Sequence, residues 1–334
     1  MTSTGSTAPG YTKHSDLAYA AGVGRAHLLD LYVPTGVRGP FPVVIVQLGS
    51  AFMSDDTKSG RPAGGPPPGV LPPLPGGSAD APTGLGGMTT AQVLAQRWGP
   101  RGYATVGLNV RSSSQAKFPA QVHDVKAAIR YLRASAPQFD LDVDRFAAMG
   151  TSSGAWTALM AGTTAGVPEL EGDLGNADQR SDVQAVIDLF GPTDFLQMDA
   201  HRLPDGQLHD PETSPESQLL GFAIQTNPAA VQRANPAAYV SRESPPVYIA
   251  HGLADPIVPH HQSQLLFTAY EAARATASLT LVPEATHTDS YLDSADDSAG
   301  RTVQHTRGGR TSTGSEPAPT YDALLAFLDE HLRR

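Results

Sequence analysis

The chain has 334 residues, 40% hydrophobic and 17% charged, a composition that suits a globular fold with a full core and not a disordered chain. Its 23 basic residues against 33 acidic ones leave a formal net charge of −10, with no Lys/Arg cluster, which argues against nucleic acid or an anionic membrane as partner. There is no cysteine, so disulfides, thiolate nucleophiles and Cys-bound zinc are excluded together.

The first sixteen residues contain neither an apolar signal core nor a basic leader, and no apolar run approaches the ~20 residues of a membrane span. The expected location is the cytoplasm; a secreted protein already stripped of its signal is the alternative. His27–Val33 reads as a strand ended by Pro34. Pro42–Leu48 and Ala104–Val110 are continuous apolar runs, which suit strands buried on both faces. Thr90–Trp98 lies between them with helical character, and Gln121–Ala134 has apolar residues at helical spacing with Lys and Arg opposite. Arg145–Met149, Val183–Leu189, Val247–Ala250 and Ser278–Val282 repeat the strand pattern, while Gln262–Ala275 and Tyr321–Leu332 repeat the helical one. Alternation of this kind predicts an α/β fold: a mostly parallel central sheet with helices on both faces, in a single domain over residues 1–334.

Three stretches break the rhythm. Ser59–Met88 holds eight Pro and nine Gly in thirty residues, so it forms neither helix nor strand and reads as an insertion. It follows the Leu48–Phe52 turn, which places its start at the carboxyl edge of the sheet. Asp194–Val240 contains short helical pieces and is expected to be a small cap. Asp293–Ala318 is polar and rich in Gly, Ser and Thr, and is expected to be a solvated loop.

The chemistry centres on Gly150-Thr151-Ser152-Ser153-Gly154. A G-x-S-x-G pentapeptide alone is weak. Here a strand precedes it and Gly154–Gly162 follows as a helix, the context that exposes a serine on a sharp turn and aims a helix N-terminus at it. Ser152 is therefore the candidate nucleophile, and the Ser153 N–H is directed at a developing oxyanion. Serine needs a base. Of eleven histidines, His287 lies just past the end of the last strand, at the edge where open α/β sheets carry their ligand crevice. His251, at the end of Val247–Ala250, reads as structural, and His260 and His261 as solvated. Asp255, five residues beyond a strand end, is placed to orient His287. The order Ser152, Asp255, His287 is that of α/β-hydrolases.

With those residues in view, the chain resembles carboxylesterases of the α/β-hydrolase fold related to hormone-sensitive lipases. It is most similar to bifunctional feruloyl/acetyl esterases (BD-FAE-like). The phrases that carry the likeness are FPAQVHDVKAAIRYLRA, GTSSGAW, DLFGPTDF, SPESQLLG and HGLADPIVPHHQS. The resemblance implies a serine esterase acting on a small-molecule ester, with no metal or organic cofactor, and Asp255 and His287 as partners of Ser152. Where such enzymes carry His-Gly-Gly-Gly or His-Gly-Gly-Ala after the third strand, this chain reads Leu48-Gly49-Ser50-Ala51-Phe52. The oxyanion role carries over to the N–H groups of Ser50 and Ala51, joined by Ser153. Thr288 stands where a small residue usually follows the histidine. Phe52, Trp156 and Phe195 are candidates to line an apolar substrate pocket, with core packing as the alternative. Asp194 is read as ending its strand or capping the next segment.

Hydrolysis of carboxylic esters is the leading expectation. The altered oxyanion loop and the long insertion motivate a second, a biosynthetic thioesterase, acyltransferase or cyclase working through the same acyl-enzyme. A non-catalytic ligand-binding hydrolase fold is the third, and the complete Ser/Asp/His set argues against it.

Overall fold

The computed structural model describes residues 5–8, 10–22, 24–60 and 89–333. Most of the Pro/Gly-rich stretch, residues 61–88, lies outside the described residues, and so does the expectation placed on it. Its two flanks meet: a Cβ added at Gly60 would stand 2.6 Å from the Thr90 methyl group.

The apolar runs become the middle of one eleven-stranded sheet. The strands are β1 Gly5–Ala8, β2 Tyr11–Ala18, β3 Leu28–Pro34, β4 Phe41–Gln47, β5 Ala104–Leu108, β6 Leu141–Thr151, β7 Ala185–Leu189, β8 Val247–Gly252, β9 Ala277–Val282, β10 Thr302–Arg307 and β11 Arg310–Gly314. Their order across the sheet is β1-β2-β3-β5-β4-β6-β7-β8-β9-β10-β11. From β5 through β9 the six central strands run parallel. The outer strands on both sides pair antiparallel. Every residue of β4, β5, β7, β8 and β9 is buried, as expected of strands covered on both faces.

Ten α-helices accompany the sheet among the described residues: α1 Ala91–Trp98, α2 Ala120–Ala134, α3 Ala136–Phe139, α4 Ser153–Thr163, α5 Pro168–Glu171, α6 Met198–His201, α7 Pro215–Leu220, α8 Pro228–Gln232, α9 His261–Ala272 and α10 Tyr321–Leu332. The side chains of Thr90 and Thr320 cap α1 and α10 by accepting the N–H groups of Val93 and Ala323. Leu94 and Trp98 of α1 and Leu324 and Leu328 of α10 pack on one face against Val44, Val46 and Ile187. Ile129 and Leu132 of α2, Leu159 of α4 and Leu266 and Tyr270 of α9 pack on the other, against Val43, Ile45 and Ile249. Each large apolar side chain buried there contributes about 2 kcal/mol. Among the described residues no helix is long and apolar enough to cross a membrane.

Two features depart from the sequence reading. Residues 293–318, expected to be a solvated loop, contain the β10–β11 hairpin, which extends the sheet antiparallel from β9. Gly308 and Gly309 both take positive φ, 62° and 79°, as a two-residue hairpin turn demands. The polar composition is that of an edge: all of β11 is exposed. The N-terminal β1–β2 hairpin on the opposite edge also carried no apolar signal. Residues 194–240 fold as α6, α7, α8 and short 3-10 turns. Phe195, Leu219, Ile224, Val231 and Ala234 from this segment close a third apolar cluster over Phe52, Trp156 and Met160.

Candidate active site

Ser152 joins β6 to α4 with φ 52° and ψ −128°, a conformation that L-residues rarely adopt. Such a residue costs about 1–3 kcal/mol, which the surrounding structure must offset. Close packing supplies the constraint. A Cβ at Gly150 would overlap the Gly154 carbonyl, and one at Gly154 would overlap the Gln47 carbonyl of β4. Both glycines are thus required by contact between backbones. The Ser152 N–H donates to Leu189 O at 2.9 Å, fixing the turn to the end of β7. Its carbonyl accepts the N–H groups of Ala155 and Trp156 at 2.9 and 3.2 Å, starting the helix.

Asp255 and His287 meet at the same edge. The N–H of Leu253 donates to Val282 O at 2.8 Å and that of Ala254 to Ala285 O at 3.0 Å, so the loops after β8 and β9 are laced together. His287 Nδ1 lies 2.7 Å from Asp255 Oδ2. A carboxylate only accepts, so Nδ1 carries the proton and Nε2 keeps a lone pair. Asp255 Oδ1 accepts the N–H groups of Ile257 and Val258 at 2.8 and 3.0 Å. Burial opposes ionisation of this fully enclosed carboxyl, but His287 and His251 outweigh it and hold the group well below the usual carboxylate range. The ring of Phe190, directly after Leu189, stands edge-on to His287 with centroids 4.7 Å apart. One short segment therefore touches both Ser152 and His287. Among the described residues Ser152 Oγ and His287 make no direct hydrogen bond. In unliganded hydrolases this bond is often loose and tightens with substrate.

The Leu48–Phe52 loop differs from the sequence expectation at one donor. Ala51 and Phe52 both take positive φ, 50° and 62°, and a Cβ at Gly49 would stand 2.7 Å from Ser152 Cβ. The loop is thus pressed against the serine. The Ser50 N–H, expected to face an oxyanion, instead donates to Ser153 Oγ at 2.9 Å. The hydroxyl that follows Ser152 in the motif takes that donor, and the N–H groups of Ala51 and Ser153 remain of the expected set.

The aromatic candidates take the core-packing alternative. Phe52, Trp156 and Phe195 are 6%, 0% and 1% exposed and pack together in the third cluster, Trp156 stacked on Phe195 and Phe52 edge-on to both. Trp156 Nε1 donates to Ala234 O at 2.7 Å. They are core residues: the 194–240 segment, which supplies Phe195 itself, closes over Phe52 and Trp156. Asp194 caps the turn after β7, accepting Leu196 N–H at 3.1 Å. His260 and His261, expected to be solvated, stack with centroids 4.2 Å apart, and His261 stacks on His201 of α6 at 4.5 Å. Burial, then the neighbouring His261 and His251, pull His260 down to about 4. The sequence reading passed over Phe190 and the pairing of Ser50 with Ser153. Phe190 lay within the quoted DLFGPTDF, but nothing in that phrase says which ring faces a histidine.

The BD-FAE family model matches residues 81–270, more than half of the chain. The chain belongs to the BD-FAE family. Esterase LipQ of Mycobacterium tuberculosis is 30% identical to this BD-FAE chain over 275 residues, which make up 82% of the chain and 56% of LipQ. Esterase LipC of the same organism is 26% identical, over 71% of the chain and 53% of LipC. The chain thus spans about half the length of these curated relatives. Among solved structures, the truncated form of a carbohydrate esterase from gut microbiota superposes with a TM-score of 0.75 at 26% identity, covering 99% of this chain and 100% of that one. The fold is the α/β-hydrolase fold.

Proposed function

We propose that this BD-FAE protein hydrolyses carboxylic esters through an acyl-enzyme. The 2.7 Å Asp255–His287 hydrogen bond carries the reading, because it turns a base toward the edge that presents the strained Ser152. In this reading Ser152 Oγ attacks the ester carbonyl while His287 Nε2 takes its proton. Asp255 holds the ring in that tautomer and balances the imidazolium charge. The N–H groups of Ala51 and Ser153 stabilise the tetrahedral oxyanion. His287 then protonates the leaving alcohol, and water activated by the same Nε2 releases the acid. The names of the relatives support esters over thioesters, and that of the gut carbohydrate esterase makes a sugar ester the first substrate to try.

The test is labelling with a fluorophosphonate and peptide mapping, followed by turnover of acetylated sugars and of acetyl, octanoyl and feruloyl esters. Label on Ser152, with Ser152→Ala losing about a millionfold in turnover, is the expected result. Parental turnover by Ser152→Ala would end the assignment.

A further inference from the structure

Asp255 has a second imidazole on it. His251, at the end of β8, is fully buried. Its Nε2 lies 3.2 Å from Asp255 Oδ2, the oxygen that also receives His287, and 2.9 Å from Val258 O. Both neighbours only accept, so Nε2 carries a proton and shares it between them. Its Nδ1 lies 2.7 Å from Ser263 Oγ of α9. That hydroxyl has no other acceptor among the described residues, so it donates to Nδ1. The geometry yields a continuous chain: Ser263 O–H to His251 Nδ1, His251 Nε2–H to Asp255 Oδ2, and His287 Nδ1–H to the same oxygen.

We propose that His251 is a positioning residue for the acid, setting how strongly Asp255 pulls on the proton of His287. The inference rests on the serine-hydrolase reading above. Asp255 Oδ1 is fixed by two backbone N–H groups, so the carboxylate cannot turn, and the only adjustable charge density is on Oδ2. A donor on Oδ2 other than His287 withdraws part of that density. It makes the carboxylate a weaker partner for the imidazolium and keeps the base available at lower pH. The same Nε2–H ties Val258 O to β8 and so holds the whole 255–258 turn. The charged and titratable groups facing His251 are Asp255 on the acid turn, His287 on the base loop and His260 and His261 at the start of α9. The Phe190 ring stands edge-on to His251, with centroids 6.4 Å apart.

The experiment compares His251→Phe, which removes the donor, with His251→Gln, whose amide nitrogen reaches the Nε2 position. The full pH profile of kcat/KM is measured on p-nitrophenyl acetate, with fluorophosphonate labelling of the parent run alongside. His251→Phe also frees Val258 O and loosens the 255–258 turn that positions Asp255, so kcat is expected to fall about tenfold, the size of one hydrogen bond. KM should be little changed, and the acid limb should move up by about half a pH unit. His251→Gln should restore most of kcat and return the limb. A limb that stays in place in His251→Phe, or equal losses in both variants with neither limb moved, would overturn the proposal and leave His251 a packing residue. If His251→Phe does not fold, Ser263→Ala takes its place. It frees the ring from its tautomer and should move the limb in the same direction by less; an unmoved limb overturns the proposal. Failure of the parent to label at Ser152 would strike the hydrolase reading instead, so the two failures are distinguishable.

Discussion

Asp188 tests the energetics beneath the site. It lies on β7 in register with Gly150 of β6 and Ile249 of β8, and is fully buried. Oδ1 accepts the Gly191 N–H at 2.8 Å, while Oδ2 has no hydrogen-bond partner among the described residues. Burial holds this carboxyl up at about 7, against an ordinary 3.8. Between those values the folded protein keeps a proton that the unfolded chain has released. The stability linked to that proton is fully present below pH 3.8 and is lost as pH rises through about 7. A shift of roughly three units corresponds to about 4 kcal/mol. Asp188→Asn removes the titration and keeps an acceptor for Gly191, but buries an amide N–H without a partner, which costs about 1–3 kcal/mol. The variant should therefore be more stable than the parent by about 1–3 kcal/mol at pH 8, a rise in Tm of about 2 °C per kcal/mol. The two stability curves should cross near pH ~5–6. Urea unfolding followed by near-UV circular dichroism from pH ~4.5 to ~8.5 reads this directly. Asp289, held up at about 6 by burial, titrates in the same window but is common to both proteins, so the difference curve isolates Asp188. Parallel curves with a constant offset would refute the reasoning.

Gly154→Ala should destabilise by about 3 kcal/mol or more, because its Cβ overlaps the Gln47 carbonyl and β4 cannot yield without moving the Leu48–Phe52 loop that follows it. Thermal unfolding and ester turnover should fall together, and an unchanged Tm would show that the turn has slack. Ser153→Ala should release the Ser50 N–H toward the oxyanion and raise kcat by about threefold with KM unchanged. A tenfold fall would instead make the hydroxyl itself a donor. Asp255→Asn should lower kcat by about 10³–10⁴ through the wrong His287 tautomer. It should also abolish the part of acid unfolding below pH ~4 that comes from protonating a carboxyl held below its unfolded value. A variant that still loses stability in acid as steeply as the parent would place that titration elsewhere.

The parallel core was legible because strands covered on both faces must be apolar throughout, as Pro42–Leu48 and Ala104–Val110 are. The edges were not, because an edge strand has a solvated face and reads as polar loop. TVQHTRGGRTSTG shows this: only its Gly-Gly turn announces the β10–β11 hairpin. The strand–turn–helix around Ser152 could be read from two glycines and their flanks, and the place of His287 from its position after β9, the last of the parallel strands. The environment of Asp255 could not. That His251, four residues before it, turns back onto the same oxygen depends on the path of the turn and on Ser263 arriving from α9. Likewise, a serine in place of glycine at residue 50 reveals nothing about which hydroxyl its N–H meets.

Eight non-glycine residues among those described have positive φ, and four of them, Ala51, Phe52, Ser152 and Phe190, belong to this one centre. At about 1–3 kcal/mol each, their combined strain rivals the 5–15 kcal/mol net stability of an ordinary domain. The centre therefore works like a spring kept compressed by the sheet and by the three apolar clusters around it. Under heat or denaturant it should be the first part to let go, so activity should fade while the scaffold still stands. Glycine at Ala51, where only a methyl group is lost, would ease the spring, giving a sturdier protein and a slower catalyst.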